Sequence, residues 1–266
     1  MGYTRQDIIE AYRAVGVKRG GVVLLKTDLR YLGPYAGQDQ RQALAAHYDA
    51  LAELIDFSQG TLVVSTGTMS LCNTDTPFDP ERTPSEMGSL TEYVRRQPGA
   101  VRSPHPFRSF AAVGRQADFI CREVARHAYG PETPKDRLLQ VDALYLSLGQ
   151  VPRLTCSLVH HVEMVMGVPY RYSKEFMHPV VTAEGVVREP FYLYVWYRNL
   201  DFKRDGNQKI FRHFHDSGYR VAEAGLGRGK VYGYSMREFY RSCLDLFKRD
   251  IYCWLAEPPA DRPYQI

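Results

Sequence analysis

A histidine and a glutamate three residues apart, His160 and Glu163, have the spacing of a general acid–base pair. In a helix, residues at positions i and i+3 lie on one face with their Cβ atoms about 5 to 6 Å apart. A carboxylate at that distance can hold the imidazole in one tautomer, so that the ring accepts a proton from an attacking amine or hydroxyl near neutral pH. Surface pairs and buried structural histidines share this spacing, so the catalytic interpretation depends on the rest of the sequence.

Two neighbours of this pair suggest other chemistry. Cys156 lies four residues before His160, where a helix would bring a thiol to the imidazole as a nucleophilic dyad. Most buried cysteines at such positions are small hydrophobic residues, which favours the structural interpretation of Cys156. The adjacent His161 suggests a metal site, but neighbouring helical side chains point about 100° apart and no HExxH motif is present. We therefore expect no bound metal.

Two polar, proline-containing segments precede the pair. Residues 102–109 read RSPHPFRS, a sequence too polar and kinked for the core, and binding groups are often carried on rigid loops of this kind. An ordered loop that caps neighbouring helices is the alternative. Residues 78–88, which include an Asp-Pro and a Met-Gly pair, indicate only turns when taken by themselves.

The elements that must position these residues alternate between helices and short apolar strands. Thr4 and Asp7 form a capping box for a first helix that ends near Gly16. The other predicted helices cover residues 38–55, 89–97, 114–127, 154–166, 208–216 and 236–248, and the predicted strands cover 22–25, 61–66, 142–148, 170–172 and 191–197. This alternation predicts an α/β protein with an at least partly parallel sheet. The glycine-rich residues 225–229 lack the Lys-Ser/Thr of a phosphate-binding loop and predict a hairpin turn.

Composition limits the class of protein. The chain has 266 residues, of which 44% are hydrophobic and 24% charged, so a disordered or low-complexity protein is excluded. A net charge of +4 fits an anionic ligand but is too weak to indicate nucleic-acid binding. Five cysteines without a CxxC motif predict neither disulfides nor a zinc ribbon, and the apolar runs are far shorter than the roughly 18 residues of a membrane span. We predict one cytoplasmic domain, residues 1–266, in which residues 170–266 form a smaller C-terminal elaboration.

Taken in order, these segments resemble the aminoglycoside 3-N-acetyltransferase family, the antibiotic acetyltransferases whose fold differs from that of the GNAT enzymes. The resemblance covers residues 15–175, and the ordered set is more specific than any of its members. The matching residues are 29–33, 60–64, 78–80, 83–85, 87–88, Glu92, Arg96, 102–103, 105–106, 109–114, 160–163 and 167–171.

This resemblance implies a three-layer α/β/α fold with a mixed sheet, and transfer of an acetyl group from acetyl-CoA to a sugar amine without an acyl-enzyme. Another acyl group, donated by another acyl-CoA, is the alternative. His160 falls on the catalytic histidine of the family, and Glu163 falls on the acidic residue that supports it. We expect backbone or hydroxyl groups to stabilise the oxyanion. The implied acyl-CoA contacts are Thr27, Thr66, Arg102, Ser103, His105 and Ser109, and the implied substrate contacts are Asp79, Glu92 and Arg171.

Two segments depart from the family pattern. Residues 26–29 read KTDL where the family usually has His-Ser-Ser-Leu, and residues 65–68 read STGT without the usual proline. Thr27 and Thr66 keep a hydroxyl in each segment, whereas Asp28 would raise the pKa of His160 if its charge lay nearby.

The acceptor is predicted from charge rather than from motifs. A polycationic aminoglycoside would require a site rich in Asp and Glu. The C-terminal third instead combines many Tyr and Phe residues with Arg171, Lys174, Arg198, Lys203, Arg204, Arg228 and Lys230. This mixture favours an amino sugar carried on a nucleoside diphosphate, although solvated cations and core aromatic residues would look the same. An aminoglycoside acceptor is the alternative, and a non-catalytic acyl-CoA-binding protein is a third hypothesis; we expect no nucleic-acid or membrane partner, and self-association stays open.

Overall fold

A computed structural model describes residues 2–37, 39–198, 200 and 203–261. The strands in this part of the chain are β1 (Val22–Thr27), β2 (Thr61–Ser65), β3 (Val101–Arg102), β4 (Phe110–Gly114), β5 (Leu144–Leu148), β6 (Arg171–Thr182), β7 (Gly185–Trp196), β8 (Ala222–Leu226) and β9 (Gly229–Ser235). The helices are α1 (Arg5–Ala14), α2 (Gln40–Ile55), α3 (Ser89–Arg95), α4 (Ala117–Cys121), α5 (Pro134–Gln140), α6 (Pro152–Thr155), α7 (Val159–Met166), α8 (Gln208–Asp216) and α9 (Met236–Arg249).

The main sheet is mixed, as the sequence predicts. Its strand order is β3-β4-β2-β1-β5-β9-β8, with β1 parallel to both β2 and β5 and the outer strands antiparallel to their neighbours. Because the three central strands are parallel, their carboxyl ends lie at one edge of the sheet. The loops that follow Thr27, Ser65 and Leu148 therefore begin side by side.

Helices cover both faces of this sheet. The alternating side chains of β1 divide between two cores, with Leu24 on one face and Leu25 on the other. Leu25 packs with apolar residues of α1, α2 and α3, and Leu24 packs with those of α4, α5, α7, α8 and α9. The result is the three-layer α/β/α arrangement.

The first helix shows how the local sequence sets an element boundary. Thr4 accepts a hydrogen bond from the backbone of Asp7, and the Asp7 carboxylate accepts one from the backbone of Thr4, so the predicted capping box is present. Apolar residues at helical spacing, including Ile8 and Tyr12, are then fully buried against α2 and the sheet. The helix ends just before Gly16, whose φ of +99° suits a residue without a Cβ.

Two predicted helices are wrong. Residues 114–127 do not form one helix; instead Phe110–Gly114 is a buried strand, and the helix that follows is limited to Ala117–Cys121. The apolar run before Gly114 lies inside the sheet, and a Cβ at Gly114 would approach the Gly60 carbonyl oxygen to 2.3 Å. Residues 154–166 are likewise divided, because the backbone at Cys156 is extended between α6 and α7.

The C-terminal third adds two hairpins. Strands β6 and β7 pair along all of their 12 residues each, much longer than predicted, and isolated bridges join them to the loops at Phe78 and His127. Strands β8 and β9 meet at the predicted glycine-rich turn and extend the main sheet, where α8 and α9 pack on one face. Within the described ranges, no helix is long and apolar enough to cross a membrane.

Candidate active site

His160 and Glu163 meet on the first turns of α7. Their Nδ1 and Oε2 atoms are 2.6 Å apart, with the carboxylate fully buried and the histidine side chain 25% exposed. An ionised carboxylate only accepts hydrogen bonds, so the proton of a neutral His160 is assigned to Nδ1. This tautomer leaves Nε2 as the basic nitrogen of the ring.

Two further contacts hold the buried carboxylate in place. The Tyr170 hydroxyl donates to Glu163 Oε1 at 2.9 Å, and Arg171 Nε lies 3.0 Å from Oε2. A buried carboxylate requires partners of this kind, because an unpaired charge in the protein interior is strongly destabilising. Arg171, expected as a substrate contact, thus lies against the catalytic pair, with Nη2 also 3.2 Å from His160 Nδ1.

Burial lowers the pKa of His160 below its ordinary value of 6.5. Glu163 opposes this effect by raising the pKa, whereas the positive charges of Arg171 and Lys135 lower it further. The imidazole is therefore neutral near pH 7, as a general base requires. Asp28 contributes nothing here, because its carboxylate accepts hydrogen bonds from Arg30 and Gln150 beside a different cavity.

Two cavities meet at His160. The first, of about 450 Å³, lies against the β6–β7 hairpin, and we call it the cationic cavity. Its basic residues are Arg108, Arg171, Lys174 and Arg198, and its aromatic wall includes Tyr172, Phe176, Tyr194 and Trp196. None of the described residues that line it is acidic. The second cavity, of about 410 Å³, is bounded by residues 153–157 and by Arg204 and Trp254. An imidazole placed between two cavities can act on two substrates that approach from different sides.

Aromatic side chains fix the orientation of the imidazole. Tyr129 and Trp254 each form a T-shaped contact with the His160 ring, at centroid distances of 5.7 and 5.3 Å. The Arg171 guanidinium lies 4.6 Å from the centre of the Trp254 ring, a cation–π contact. These rings restrict rotation of the imidazole and shield its Nδ1 side from water.

The predicted acyl-CoA residues Thr66, Arg102 and Ser109 are brought together in one buried network. Arg102 donates to the Thr66 carbonyl at 2.5 Å and to the Ser109 hydroxyl at 3.1 Å, and Thr66 also donates to Ser109 at 3.1 Å. Because these side chains bond to one another, they join the loop after β2 to the segment between β3 and β4. Direct contact between them and acyl-CoA stays a prediction.

The other residues predicted to contact acyl-CoA lie in different parts of the structure. Ser103 is buried and accepts a hydrogen bond from the Phe110 backbone at 2.9 Å, and burial lowers the pKa of His105 to about 3. Thr27 lies elsewhere, on a large cavity of about 730 Å³ that also borders residues 86–90, which we call the large cavity. Its hydroxyl is buried without a hydrogen-bond partner, which is the feature expected of a group that contacts a ligand.

Asp79 and Glu92, predicted to contact substrate, are not brought to His160. Asp79 accepts hydrogen bonds from the backbone nitrogens of residues 81 and 82, which forms a turn. Glu92 accepts one from the Ser85 backbone and pairs with Arg95 at 2.7 Å. Both carboxylates thus stabilise the loop over residues 79–92.

The structure does not support Cys156 as the nucleophile of a Cys–His pair. The extended backbone at Cys156 removes the predicted i, i+4 contact with His160, and its Sγ lies 3.2 Å from the Tyr234 hydroxyl. Burial raises the pKa of the Cys156 thiol, so the reactive thiolate is disfavoured. Among the residues whose placement is described, no cluster of three or more His, Cys, Asp or Glu side chains could hold a metal ion.

Sequence reasoning missed residues that converge from distant segments. Tyr170, Tyr129 and Trp254 reach the His160–Glu163 pair, and Lys26 and Lys135 line a small chamber beside it. Two of them carried a signal: Lys26 stands where the related family has a histidine, and Tyr170 lies in the matching segment 167–171. Tyr129, Lys135 and Trp254 follow no motif and become visible only in three dimensions.

Comparison with known proteins identifies the family. The family model for aminoglycoside 3-N-acetyltransferase matches residues 24–248. An aminoglycoside N(3)-acetyltransferase III of Pseudomonas aeruginosa is 28% identical over 250 residues, 86% of each chain. An aminoglycoside N(3)-acetyltransferase IX of Micromonospora chalcea is 30% identical over 206 residues, 70% of this chain and 71% of its own.

Solved structures show the same fold. The crystal structure of aminoglycoside acetyltransferase AAC(3)-Xa superposes with a TM-score of 0.79 at 24% identity, covering 92% of this chain and 93% of its own. The structure of AAC-IIIb in a binary complex with CoASH gives 0.78 at 20% identity, covering 94% and 98%. With the family model matching most of its length, this chain belongs to the aminoglycoside 3-N-acetyltransferase family.

Proposed function

We propose that this protein transfers an acetyl group from acetyl-CoA to a primary amine of an amino-sugar acceptor, with His160 as the general base. The observation that carries this proposal is the 2.6 Å contact between His160 Nδ1 and Glu163, which leaves Nε2 basic at the junction of two cavities. Family membership supports it, since the relatives named above are N-acetyltransferases. The protein is accordingly an acyl-CoA-dependent acyltransferase.

The reaction needs one base and no covalent intermediate. The neutral amine attacks the thioester carbonyl carbon, and His160 Nε2 takes the proton that the nitrogen loses as the C–N bond forms. Collapse of the tetrahedral intermediate breaks the C–S bond, and the departing CoA thiolate takes up a proton. That proton comes from the His160 imidazolium, so neutral His160 is regenerated as the amide product and CoA thiol form.

Glu163 acts through His160. Its carboxylate holds the Nδ1 proton and stabilises the imidazolium that forms during proton transfer. Tyr170 and Arg171 in turn hold the carboxylate, which makes them positioning residues for the base. The predicted substrate contact of Arg171 is compatible with this role, because Arg171 also lines the cationic cavity.

The donor fits the loops at the carboxyl edge of the sheet. The large cavity, of about 730 Å³, borders residues 27–30 at the end of β1 and residues 86–90 at the start of α3. The Thr27 hydroxyl, which has no hydrogen-bond partner in the protein, offers a hydrogen bond there, and Met87 borders both this cavity and the small chamber lined by Lys26 and Lys135. We therefore assign the CoA moiety to the large cavity.

The names of the relatives favour an aminoglycoside as the acceptor. This was the alternative in the sequence analysis, and the nucleotide-linked sugar expected first has no support from the comparisons. An amine on an aminocyclitol or sugar ring would enter the cationic cavity and reach Nε2 of His160.

One observation favours a second candidate, an amino sugar that carries an anionic group. The cationic cavity exposes Lys174 and Arg198, and the described part of its lining contains no carboxylate to bind a polycation. Charge-reversal variants Lys174→Glu and Arg198→Glu separate the two acceptors. They should raise kcat/KM for an aminoglycoside and lower kcat/KM for an anionic acceptor.

Thiol release from acetyl-CoA tests the proposal. The acceptors are aminoglycosides such as gentamicin and sisomicin, and a set of nucleotide-linked amino sugars. We expect His160→Ala to lower kcat by about 10² to 10⁴-fold with the fold intact. His213→Ala is the matched control, because His213 forms a 3.0 Å pair with Asp245 outside both cavities. Near-normal turnover by His160→Ala would exclude His160 as the base.

A further inference from the structure

A small chamber lies where the three cavities approach one another. This inner chamber, of about 30 Å³, shares Arg108 and Tyr129 with the cationic cavity, Ser157 with the second cavity and Met87 with the large cavity. Its volume holds one or two groups the size of a water molecule, which suits a carbonyl oxygen better than a whole acyl chain.

Three basic side chains line the inner chamber. Lys26 Nζ donates to the Ser65 hydroxyl at 2.6 Å, and Lys135 Nζ donates to the Ser157 hydroxyl at 3.0 Å. Lys135 is only 4% exposed. Arg108 is the third basic side chain of the lining. The two lysines come from β1 and α5, so the fold brings together charges that are distant in the sequence.

These charges have no counter-ion among the side chains that the structure places. The positive charge of Arg108 lowers the pKa of both lysines, and that of Lys26 lowers the pKa of Lys135; no described carboxylate forms an ion pair with either lysine. Burial lowers the pKa of Lys26 to about 8 and lowers that of Lys135 further below its ordinary value. Such unpaired buried groups are costly, and active sites retain them where negative charge must be stabilised.

We propose that Lys26 and Lys135 form the oxyanion site of this enzyme, donating hydrogen bonds to the thioester carbonyl oxygen as the amine attacks. The proposal rests on the acetyl-transfer function above. As the C–N bond forms, the π electrons of the C=O bond move to the oxygen, and the lysines stabilise that charge. When the C=O bond is restored, the electron pair of the C–S bond leaves with the CoA sulfur.

The position of Lys135 beside the base supports this role. The Ser157 carbonyl oxygen accepts from both Lys135 Nζ and the His160 backbone nitrogen, each at 3.3 Å. Lys135 Nζ also lies 4.1 Å from the centre of the Tyr129 ring, which forms a T-shaped contact with the His160 ring. A carbonyl carbon attacked beside His160 can therefore direct its oxygen into the inner chamber.

The hydroxyls of Thr66 and Ser109 are engaged in the hydrogen-bond network around Arg102. Ser109 accepts hydrogen bonds from both Thr66 and Arg102, and Thr66 uses its own proton in that contact. Lys26 and Lys135 each carry three N–H groups when protonated, more than their described hydroxyl and carbonyl partners require. The lysines thus retain donors for a transient oxygen anion.

Single substitutions test the proposal with acetyl-CoA and the best acceptor. We expect Lys26→Met and Lys135→Met each to lower kcat by about 100-fold, the usual cost of one oxyanion donor. The dissociation constant of acetyl-CoA, measured by calorimetry, should change by less than about 3-fold, because the oxyanion exists only after attack. Lys230→Met, which removes an exposed lysine on β9, should leave both quantities unchanged.

The pH dependence of kcat gives a second readout that a structural role would not move. Burial and the positive charge of Arg108 lower the pKa of Lys26 to about 8, whereas Cys156 raises it, and the loss of the Lys26 charge near pH 8 should lower wild-type kcat at alkaline pH. Lys26→Arg keeps a permanent charge, so it should be at least 10-fold more active than Lys26→Met and should hold its kcat to higher pH.

Each of three results would overturn the oxyanion site: a kcat within 3-fold of wild type in both methionine variants, a loss confined to acetyl-CoA affinity, or an unchanged alkaline decline in Lys26→Arg. The histidine variant distinguishes this failure from that of the proposed function. If His160→Ala is inactive while both lysine variants are active, His160 is retained as the base and only the proposed oxyanion site is rejected. Full activity in His160→Ala removes the proposed mechanism itself.

Discussion

Glu163 lies one helical turn beyond His160 and contacts its Nδ1 at 2.6 Å, entirely out of contact with solvent. Burial of the carboxylate makes its electrostatic effect on the imidazole stronger than it would be in water. Burial of His160 acts in the opposite direction, so the histidine is a base whose pKa is set by two opposing environments.

Replacing Glu163 by Gln should therefore shift the acidic limb of the pH profile. The carboxylate raises the pKa of His160, whereas burial and Arg171 lower it, so Glu163→Gln should lower that pKa further. Because the neutral imidazole is the active form, the acidic limb of kcat/KM should move to lower pH, while maximal kcat falls by about 10-fold or more. Titration of the acceptor amine is common to both enzymes, so only the difference between their profiles counts. A limb displaced to higher pH would contradict this account.

Tyr170→Phe should destabilise the protein through the buried carboxylate. The hydroxyl donates to Glu163 at 2.9 Å, and loss of a hydrogen bond to a charged buried group costs about 1.5 to 3 kcal/mol. Urea denaturation should show this loss of unfolding free energy, and kcat should fall because Glu163 is less well held. Tyr192→Phe is the matched control, since its hydroxyl bonds Glu175 at 2.8 Å on the surface. Equal losses in the two variants would contradict a special role for Tyr170.

The sequence allowed prediction of what depends on local pattern. The alternation of helices and strands gave the fold class, and helical spacing gave the contact between His160 and Glu163. Phe110–Gly114 was missed because a short apolar run has no periodicity that separates a buried strand from a helix. Lys26 and Lys135 could not be paired from sequence, since they are 109 positions apart and only the fold brings both to one chamber.

Gly67→Ala should disturb the loop that carries Arg108. A Cβ at Gly67 would lie 2.2 Å from the Phe107 carbonyl oxygen, so the backbone at Gly67 or at Phe107 must move. We expect a loss of about 1 to 3 kcal/mol in unfolding free energy and a lower kcat, because Gly67 and Arg108 both line the inner chamber. Gly225→Ala, where a Cβ would meet nothing within 4 Å, is the control. If Gly67→Ala changed neither the unfolding free energy nor kcat, the backbone around Gly67 and Phe107 would be able to adapt without disturbing the inner chamber.

Lys26→Met should stabilise the protein at neutral pH, even though it lowers activity. Folding lowers the pKa of Lys26 from 10.5 to about 8, so protonation of Lys26 is less favourable in the folded state than in the unfolded chain. Below about pH 8 the lysine is protonated in both states and the full cost of burying its charge is present. Between pH 8 and 10.5, Lys26 binds more protons in the unfolded state than in the folded state. The contribution of Lys26 therefore makes the wild type more stable as the pH rises through this range.

Melting temperatures at pH 7, 8, 9 and 10 check this expectation. Lys26→Met should melt above wild type at pH 7, and the difference should shrink steadily from pH 8 to pH 10 as folded wild type loses its charge at Lys26. The exposed Lys230→Met should show no such narrowing. A constant difference, or a wild type more stable than Lys26→Met at pH 7, would mean that the protein offsets the buried charge of Lys26 and that the inner chamber is less electropositive than its lining indicates.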